Sequence, residues 1–395
     1  MTERKLRIGV AGMGRAFTLM LPTFAADPRV ELVAGADPNP EPRAQFAKDF
    51  SPKTYTDIAG LCDDANVEIV YIASPHQFHC EHAELAAAKG KHLLIEKPMA
   101  LTLGECRRIV TAAGKAGVQL IVGHGHSFDT PILRTREIIV GGEVGKVRMI
   151  HALNFTDFLY RPRRPEELQP DKGGGVVFSQ AVHQVDIVRL LGGGRVRSVR
   201  AVTGAWDASR PIEGAYSALL IFEDGAFATL TYSGYAHFDS DEFCGWTGEL
   251  GRRKERSNYG ATRKVLAKAA NADEEAALKA ARNYGGSTYA PPAPGPALHQ
   301  HFGLVLVSCD YADLRPLPDG VMIYGDTEER MEALEAPKVP RSEVIDELYG
   351  ALVHGRPPRH GGAWSLATME VVLAILQSAR EDREIVLEHQ LGVDD

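Results

Sequence analysis

The sequence has few cysteines, and none is spaced as a disulfide framework or a structural zinc site requires. The five cysteines among 395 residues are Cys62, Cys80, Cys106, Cys244 and Cys309. An odd number of scattered cysteines is typical of a reducing compartment, so the sequence predicts a cytoplasmic protein. The first residues lead directly into a strand-like run, and no stretch of about 18 apolar residues occurs. Neither secretion nor membrane spanning is predicted.

Positive charge is scarce relative to negative charge. The chain has 44 Lys and Arg against 52 Asp and Glu, a formal net charge of -8. This balance disfavours nucleic acid or an anionic membrane as the partner and leaves a small molecule as the expected one. Hydrophobic residues make up 44% of the sequence, enough for two sizeable cores, so two domains are predicted.

Short apolar runs alternate with helical patterns from residue 6 to about residue 125. The runs are LRIGVAG, VELVAGAD, VEIVYIAS, KHLLIEKP and VQLIVGH. This alternation of strands and crossover helices is typical of a parallel sheet. The sequence therefore predicts an α/β protein whose residues 1–125 form a Rossmann domain.

Longer runs with alternating apolar residues follow residue 145. They are KVRMIHALNFTDF, RVRSVRAVTGAW, AYSALLIFEDG and AFATLTYSGYAHF. Period-two alternation predicts a large, mostly antiparallel sheet in an α+β domain over residues 126–395. Residues 250–300, basic and alanine-rich in their first part, are predicted to form a surface excursion, and residues 341–380 two closing helices. The open face of the sheet and the basic excursion predict a homo-oligomer, a dimer or a tetramer.

The segment GMGRAF follows the first strand-like run and matches a dinucleotide-binding turn. Gly12 permits the tight turn, Gly14 lets the backbone approach a pyrophosphate, and Arg15 and Ala16 open the helix whose N-terminus favours anions. Phe17 stands where the motif has its third glycine.

Asp37 ends the second run, 23 residues after Gly14. A carboxylate at this position accepts the ribose hydroxyls of NAD and repels the 2′-phosphate of NADP, so NAD is the predicted cofactor. The alternative for Asp37 is a helix N-cap. Arg43 is the nearby residue that would weaken the exclusion of NADP.

Three further features accompany the glycine turn: the segments SPHQFHCEHAELAAAKGKHLLIEKP (74–98) and GGGVVFSQAVHQVD (173–186), and the closing helix pair. With that turn, they resemble the Gfo/Idh/MocA oxidoreductase family over nearly the whole chain. The resemblance implies that Lys97 and His183 face the nicotinamide ring and that Ser74, Pro75 and His79 line the cofactor. Ser179 departs from the family, because many members have an aspartate at this position, four residues before the histidine.

The residue types agree with these roles. Lys97 ends the fourth run, where open α/β sheets bind ligands, and a lysine there can hold a substrate hydroxyl, with its own pKa lowered by desolvation. The alternative for Lys97 is an ion pair with Glu96. Glu96 is also predicted to bind the cofactor. His183 is a natural proton acceptor at neutral pH. Its alternative is a structural histidine between the domains, and Asp186 is expected to orient it.

Several other histidines carry weaker signals. His76, His79 and His82 are spaced by three, but they form no closed set with a zinc spacing, so no metal is predicted. His124 and His126 follow the fifth run and are interpreted as substrate-pocket lining, with hinge residues as the alternative.

The substrate side is predicted from the segment before the His183 helix. Arg161, Arg163 and Arg164 suit a carboxylated, anionic substrate, since guanidinium groups bind carboxylates in a bidentate way. The alternative is a solvated loop in which these arginines pair with Glu166 and Glu167. Ser179 and Gln180 complete the predicted substrate-binding set.

Within the family, the sequence most resembles the phthalate 4,5-cis-dihydrodiol dehydrogenase branch. That resemblance implies NAD-dependent oxidation of a carboxylated cyclic cis-diol to a catechol. The alternatives are a sugar or inositol dehydrogenase, an NAD-assisted glycosidase and a non-catalytic scaffold that senses NAD.

Overall fold

The computed structural model describes residues 4–50, 53–235, 237–291 and 297–393. The strands are β1 Leu6–Ala11, β2 Val30–Ala36, β3 Thr54–Tyr55, β4 Ile69–Ile72, β5 His92–Ile95, β6 Leu120–Val122, β7 Val147–Phe155, β8 Val196–Gly204, β9 Ala215–Phe222, β10 Phe227–Ser233, β11 Leu304–Cys309, β12 Ala312–Leu317, β13 Gly320–Gly325, β14 Glu329–Ala333 and β15 Ile385–Val386. The α-helices are α1 Arg15–Ala26, α2 Pro40–Asp49, α3 Ile58–Asp63, α4 His79–Ala88, α5 Leu103–Ala116, α6 Thr130–Val140, α7 Val182–Leu191, α8 Ala261–Leu266, α9 Ala272–Ala281, α10 Ser342–Val353 and α11 Gly362–Glu381.

The chain divides into two compact units. The first comprises Met1–His124, Asn271–Pro294 and Val339–Leu366, and the second comprises Gly125–Ala270, Gly295–Lys338 and Ala367–Asp395. The first break lies where the sequence suggested a boundary, near residue 125. The two later segments of the first unit differ from the sequence-based division, which assigned both of them to the second domain.

The first unit contains a six-stranded parallel sheet in the order β3-β2-β1-β4-β5-β6. All four residues of β4, in the middle of the sheet, are buried, as expected for a parallel sheet covered on both faces. The Rossmann arrangement predicted from the sequence is confirmed. Strand β3 was not predicted, because two residues are too few to show a pattern.

Side-chain packing explains why residues 271–294 belong to the first unit. Phe17 is fully buried, and the ring of Tyr284 meets its ring edge-on at a centroid distance of 5.2 Å. The Tyr284 backbone N–H also donates to the Thr18 hydroxyl oxygen, and its phenol donates to Asp49. The aromatic residue that replaces the third glycine is therefore covered by a residue more than 260 positions away, which no local pattern could reveal.

Residues 339–366 are tied to the same unit by polar contacts. The Thr23 hydroxyl donates to the Pro340 carbonyl, and Arg29 pairs with Asp346 of α10 at 2.7 Å. At the edge of the sheet, the Val122 N–H donates to the His360 carbonyl. The two closing helices predicted from their apolar stripes are present as α10 and α11.

The second unit contains a nine-stranded sheet in the order β14-β13-β12-β11-β7-β10-β9-β8-β15. Among the described strands of this nine-stranded sheet, only β7 and β10 pair in parallel, and the other pairs are antiparallel. Alternate residues of β9 and β10 are buried, while Leu219 and Phe227 lie exposed on the other face. The predicted antiparallel sheet is confirmed, but strands β11 to β15 were missed. The Asp319–Gly320 turn between β12 and β13 was the available signal.

The predicted surface excursion contains the short helices α8 and α9, and most of their residues are exposed or half-buried. Its residues 292–296 lie outside the described residues. Helix α11 has the length and composition of a membrane span, but 67% of its most apolar 18-residue window is buried inside the chain. Such burial is typical of the core helix of a soluble protein.

Candidate active site

The turn after β1 is shaped for close approach by a ligand. Gly12 has φ of +94°, and a Cβ there would lie 2.8 Å from the Ala73 carbonyl carbon and oxygen, so only glycine fits. A Cβ at Gly14 would meet nothing within 4 Å. Gly14 also forms the N-cap of α1, where no side chain caps the helix and no acidic residue lies in the first turn. A helix N-terminus left in this state suits a pyrophosphate.

Asp37 follows β2 and orders the neighbouring backbone. One carboxylate oxygen accepts the Met13 N–H at 2.8 Å, and the other accepts the backbone and side-chain N–H groups of Asn39. The oxygen that accepts the Met13 N–H has a second lone pair for a ribose hydroxyl. The N-cap of α2 is Asn39, so Asp37 is not that cap. Arg43 donates to the Asp37 and Pro38 carbonyls, among other backbone oxygens, which directs its charge toward the backbone.

The loop after β4 carries three residues assigned to the cofactor. The Ser74 hydroxyl lies 2.9 Å from His82 Nδ1, and Pro75 precedes a 3₁₀ turn at His76–Phe78. His79 is fully buried, and its ring nitrogens lie 3.0 and 2.9 Å from the Pro98 and Ser74 carbonyl oxygens. The prediction that His79 touches the cofactor is not supported, since no part of its side chain is accessible. Its side chain instead joins the loops that follow β4 and β5.

Lys97 and Glu96 follow β5 at the carboxyl end of the sheet. Glu96 is buried and accepts a hydrogen bond from the Tyr71 hydroxyl at 2.5 Å. Burial raises the pKa of Glu96, although the Tyr71 hydroxyl and the Lys97 charge oppose that shift. Glu96 therefore belongs to the sheet interior, where it interacts electrostatically with the half-buried Lys97.

In the second unit, three aromatic side chains form a compact cluster. The His126 ring lies 4.8 Å from the His183 ring and 5.0 Å from the Phe302 ring, and Phe302 lies 4.7 Å from His183. His126 Nδ1 lies 2.6 Å from Asp129 Oδ2, and His126 Nε2 lies 3.5 Å from Glu249 Oε1. Burial alone would lower the pKa of His126, but the two carboxylates outweigh burial and raise it.

His183 lies in the first turn of α7, which follows a π-helical turn at Val177–Ala181. The sequence suggested an uninterrupted helix here. π-helical turns occur frequently at functional sites, because they redirect the side chains around them. This turn carries Ser179, half-buried, and Gln180, buried. Asp186 accepts hydrogen bonds from the hydroxyls of Ser127 and Thr368.

Arg161, Arg163 and Arg164, the three arginines of the predicted substrate loop before α7, differ in their surroundings. Arg164 pairs with Glu166, and Arg163 lies with its guanidinium 3.7 Å from the centre of the Phe158 ring and donates to the Phe158 carbonyl. For these two, the structure agrees with the alternative of internally paired side chains. Arg161 donates to Asp157 at 3.1 Å. Burial alone would lower the pKa of Arg161, but the carboxylates of Glu249 and Asp157 raise it, and Glu249 is the carboxylate that also faces His126 Nε2.

His124 and His126 are both buried, and His126 belongs to the cluster just described. Three residues at this place were not predicted from the sequence: Phe302 of the cluster, and Asp129 and Glu249, which face His126. Of the three, Asp129 had a signal in the sequence, because a histidine and an aspartate three residues apart often pair. No group of three or more His, Cys, Asp and Glu suited to a metal ion occurs among the residues that the structure describes.

The arrangement around α1 and Asp37 and the comparison with protein families define the class of this protein. The model of the Gfo/Idh/MocA oxidoreductase family, NAD-binding Rossmann fold, matches residues 6–124, and the model of its C-terminal domain matches residues 132–252. The chain belongs to the Gfo/Idh/MocA family. It is an oxidoreductase whose Rossmann domain binds NAD, as the sequence predicted.

Two relatives with named activities are similar to this chain over different lengths. The chain is 49% identical over 95% of its length to 1-carboxy-3-chloro-3,4-dihydroxycyclohexa-1,5-diene dehydrogenase from Comamonas testosteroni, of which it covers 96%. It is 32% identical over 50% of its length to inositol 2-dehydrogenase 2 from Saccharopolyspora erythraea, covering 57% of that protein.

A solved structure is also similar along nearly the whole chain. A candidate dehydrogenase from Bordetella bronchiseptica RB50 has a TM-score of 0.91 and 40% identity, with 97% of this chain and 100% of that one covered. The WlbA dehydrogenase from Bordetella pertussis, solved with NADH and UDP-GlcNAcA, shares the fold at 20% identity and a TM-score of 0.68, over 98% of this chain and 99% of that one.

Proposed function

We propose that this protein oxidises one carbinol of a carboxylated cyclohexadiene cis-diol with NAD and so produces a catechol carboxylate. The observation that carries the proposal is the 49% identity, over 95% of the chain, to a dehydrogenase whose named substrate is such a diol. The phthalate 4,5-dihydrodiol is the member of this substrate class that the sequence resemblance favours.

NAD, when bound, accepts a hydride at C4 of its nicotinamide ring. The described residues fit this cofactor, because the open space at Gly14, the uncapped start of α1 and Asp37 match a pyrophosphate and a ribose. Arg15 and Ala16, which open the helix, and Gly12 complete the proposed cradle. Ser74 and Pro75 are proposed to line it from the loop after β4.

Lys97 and His183 are the proposed catalytic residues. Lys97 donates a hydrogen bond to the carbinol hydroxyl and stabilises the negative charge that develops on its oxygen. His183 accepts the hydroxyl proton while the carbinol carbon loses its hydride. The products of the step are an enone and a protonated His183. The enone then tautomerises to the catechol, and aromaticity draws the reaction toward oxidation.

Arg161 is the proposed partner of the substrate carboxylate. Arg161 donates to Asp157 and also interacts with Glu249, the carboxylate that faces His126 Nε2, whereas Arg163 and Arg164 contact Phe158 and Glu166. Ser179, in place of an aspartate, removes an anion that would repel such a substrate. Gln180, His124 and His126 remain proposed members of the substrate side.

We also propose a cytoplasmic homo-oligomer. All five cysteines are free thiols, which agrees with a reducing compartment. The outward face of the second sheet presents apolar side chains such as Leu219, Phe227 and Met331, and a second subunit would remove them from water.

The test is a substrate panel that measures NADH formation by absorbance. The panel contains a carboxylated cis-dihydrodiol, the same diol without its carboxylate, and myo-inositol. We expect the highest kcat/KM for the carboxylated diol and a loss of at least about tenfold without the carboxylate. Preference for myo-inositol would replace the proposal by a polyol dehydrogenase. Sugar hydrolysis without net NADH would indicate an NAD-assisted glycosidase, and no turnover of any substrate would indicate a scaffold.

A further inference from the structure

We propose that helix α8 of the surface excursion orients Arg161 for the substrate carboxylate: the Thr262 hydroxyl fixes the carboxylate of Asp157, and Asp157 holds Arg161. Thr262 and Asp157 are then positioning residues that act through Arg161. The inference rests on the proposed role of Arg161 and gives the excursion a part in substrate recognition. The three residues belong to the second unit.

Asp157 is held at both of its carboxylate oxygens. Oδ1 accepts the Nε–H of Arg161 at 3.1 Å, and Oδ2 accepts the Thr262 hydroxyl. An aspartate carboxylate rotates easily about its last side-chain bond, because that torsion has broad energy wells. A partner on each oxygen removes this freedom. The direction in which Asp157 holds Arg161 therefore depends on Thr262.

The charge of Asp157 strengthens this arrangement. Burial alone would raise the pKa of Asp157, but the Arg161 charge and the Thr262 hydroxyl lower it. Asp157 is therefore ionised at neutral pH. Its bond to Arg161 joins two charged groups, and such bonds are roughly twice as strong as those between neutral groups.

The bond to Asp157 involves one nitrogen of the Arg161 guanidinium. It uses Nε, whereas the other N–H groups of an arginine lie on its two terminal nitrogens. A pair of N–H groups on two guanidinium nitrogens matches the two oxygens of a carboxylate. The side chain of Arg161 is 35% exposed, so a ligand can reach it. Asp157 thus fixes one edge of a group whose terminal nitrogens suit an anionic ligand.

A second contact attaches α8 to the same part of the chain. The Arg263 guanidinium donates to the Tyr235 carbonyl, and its Cζ lies 4.0 Å from the centre of the Tyr160 ring. Tyr160 is the last residue of the 3₁₀ turn at Phe158–Tyr160, and Asp157 is its N-cap. Two successive residues of α8 therefore contact the substrate loop, one before the turn and one at its end.

The second sheet anchors the backbone of the same turn. Leu159 is buried in a cluster with Ile212 and Tyr235, and its N–H donates to the Gly234 carbonyl at 3.0 Å. This contact fixes where the turn lies, but it does not involve the side chain that holds Arg161. The bond from α8 supplies that part of the geometry.

The experiment measures two properties of the full-length protein. Hydrogen exchange of the substrate loop is followed by mass spectrometry without ligand. The affinities of the NADH-loaded protein for 3,4-dihydroxybenzoate and for catechol are measured by isothermal titration calorimetry, and the ratio of the two Kd values is the carboxylate preference. Thr262→Val removes the hydroxyl and keeps the shape, Thr262→Ser keeps the hydroxyl, and Lys264→Gln, at an exposed position of α8, is the control.

We expect Thr262→Val to speed exchange of the Tyr160 and Arg161 amides, which close the 3₁₀ turn, by about tenfold. The carboxylate preference should fall by about fivefold, because Arg161 no longer has one fixed orientation. Thr262→Ser and Lys264→Gln should keep the native values. In an Arg161→Gln background, Thr262→Val should cause no further loss of preference, since the hydroxyl acts through that guanidinium.

A carboxylate preference that survives Thr262→Val would overturn the inference, and so would unchanged exchange of the loop amides. An equal loss of affinity for catechol, or losses that add in the double variant, would assign Thr262 a structural role alone. If Thr262→Val does not fold, Thr262→Ala decides by the same criteria. A native protein without any carboxylate preference would refute the proposed role of Arg161, and with it the proposed function and this inference. The native protein thus tests the function, and the Thr262 variants test the positioning.

Discussion

The two units offer different kinds of surface to a ligand. Around α1, the first unit offers backbone: glycines without side chains, an uncapped helix start and a carboxylate that orders the turn. The second unit offers titratable side chains packed against one another, with His126, His183 and Asp129 almost wholly buried. A backbone cradle suits a cofactor that is the same in every turnover. A cluster of coupled charges suits the reaction, because protons move there and small changes of environment alter their acidity.

The largest effect should come from the proposed catalytic residues. Lys97→Met and His183→Asn are each expected to lower kcat by about 10³-fold while NADH affinity stays within a few fold, because each removes a group that acts on the reacting hydroxyl. Stopped-flow NADH formation and NADH fluorescence titration measure the two quantities. Lys115→Met, an exposed position in the last turn of α5, is the control. Near-native turnover in either site variant would refute its role.

A change in the backbone cradle around Gly12 should weaken cofactor binding, whereas the catalytic variants should lower turnover and leave binding intact. Gly12→Ala places a methyl group 2.8 Å from the Ala73 backbone at φ of +94°, so we expect NADH affinity to fall by about 100-fold. The matched control is Gly114→Ala inside α5, where a Cβ meets nothing within 4 Å and helix propensity should add about 0.5–1 kcal/mol of stability. Equal NADH affinity in the two variants would contradict the close approach.

Two arginines of the substrate loop should differ in their effect on substrate binding. Arg161→Gln should raise KM for the carboxylated diol by about tenfold with little change in kcat, since a charge-assisted hydrogen bond to the carboxylate is lost. Arg164→Gln should leave KM within about twofold, because Arg164 pairs with Glu166. Steady-state kinetics on both variants test the contrast, and equal effects would assign the carboxylate elsewhere.

The smallest effect concerns the support of the π-helical turn. Glu213 accepts the Val177 N–H, and burial raises the pKa of its carboxyl group to about 7. A folded-state pKa above the unfolded value means that the folded protein binds the extra proton, so stability falls as pH rises from about 4.5 to about 7.

Glu213→Gln should remove that fall. The variant and the native protein should have similar Tm values near pH 5, and the variant should be more stable by about 1–2 kcal/mol at pH 8. Thermal unfolding by circular dichroism measures this difference. The exposed Glu223→Gln is the control, and a native protein whose Tm does not decline over this range would contradict the shift.

The two units also differ in how far the sequence predicted them. The turn GMGRAF, Asp37 and Lys97 each follow a strand, so a local pattern placed them at one edge of a parallel sheet. The histidine cluster joins residues 126, 129, 183, 249 and 302, and only its first two members are neighbours in sequence. Tertiary packing brings the other three members to this pair, so spacing could predict only the contact between His126 and Asp129.

Packing also explains two departures from the expected roles. His79 looked like a cofactor residue within its motif, but its ring spans the carbonyls of Ser74 and Pro98 in the interior. Phe17 looked like a defect of the glycine motif, yet Tyr284 covers its ring. Both roles depend on residues that a local pattern does not include.

The central claim, transfer of a hydride from a diol carbinol to NAD, is tested most directly with a substrate that carries deuterium on the carbinol carbons. The enzyme is mixed with NAD and the deuterated carboxylated cis-diol, and the nicotinamide product is analysed by mass spectrometry and proton NMR. The account predicts one deuterium at C4 of each NADH and one equivalent of catechol carboxylate. Catechol formed with unlabelled NADH, or no NADH from this substrate, would contradict it.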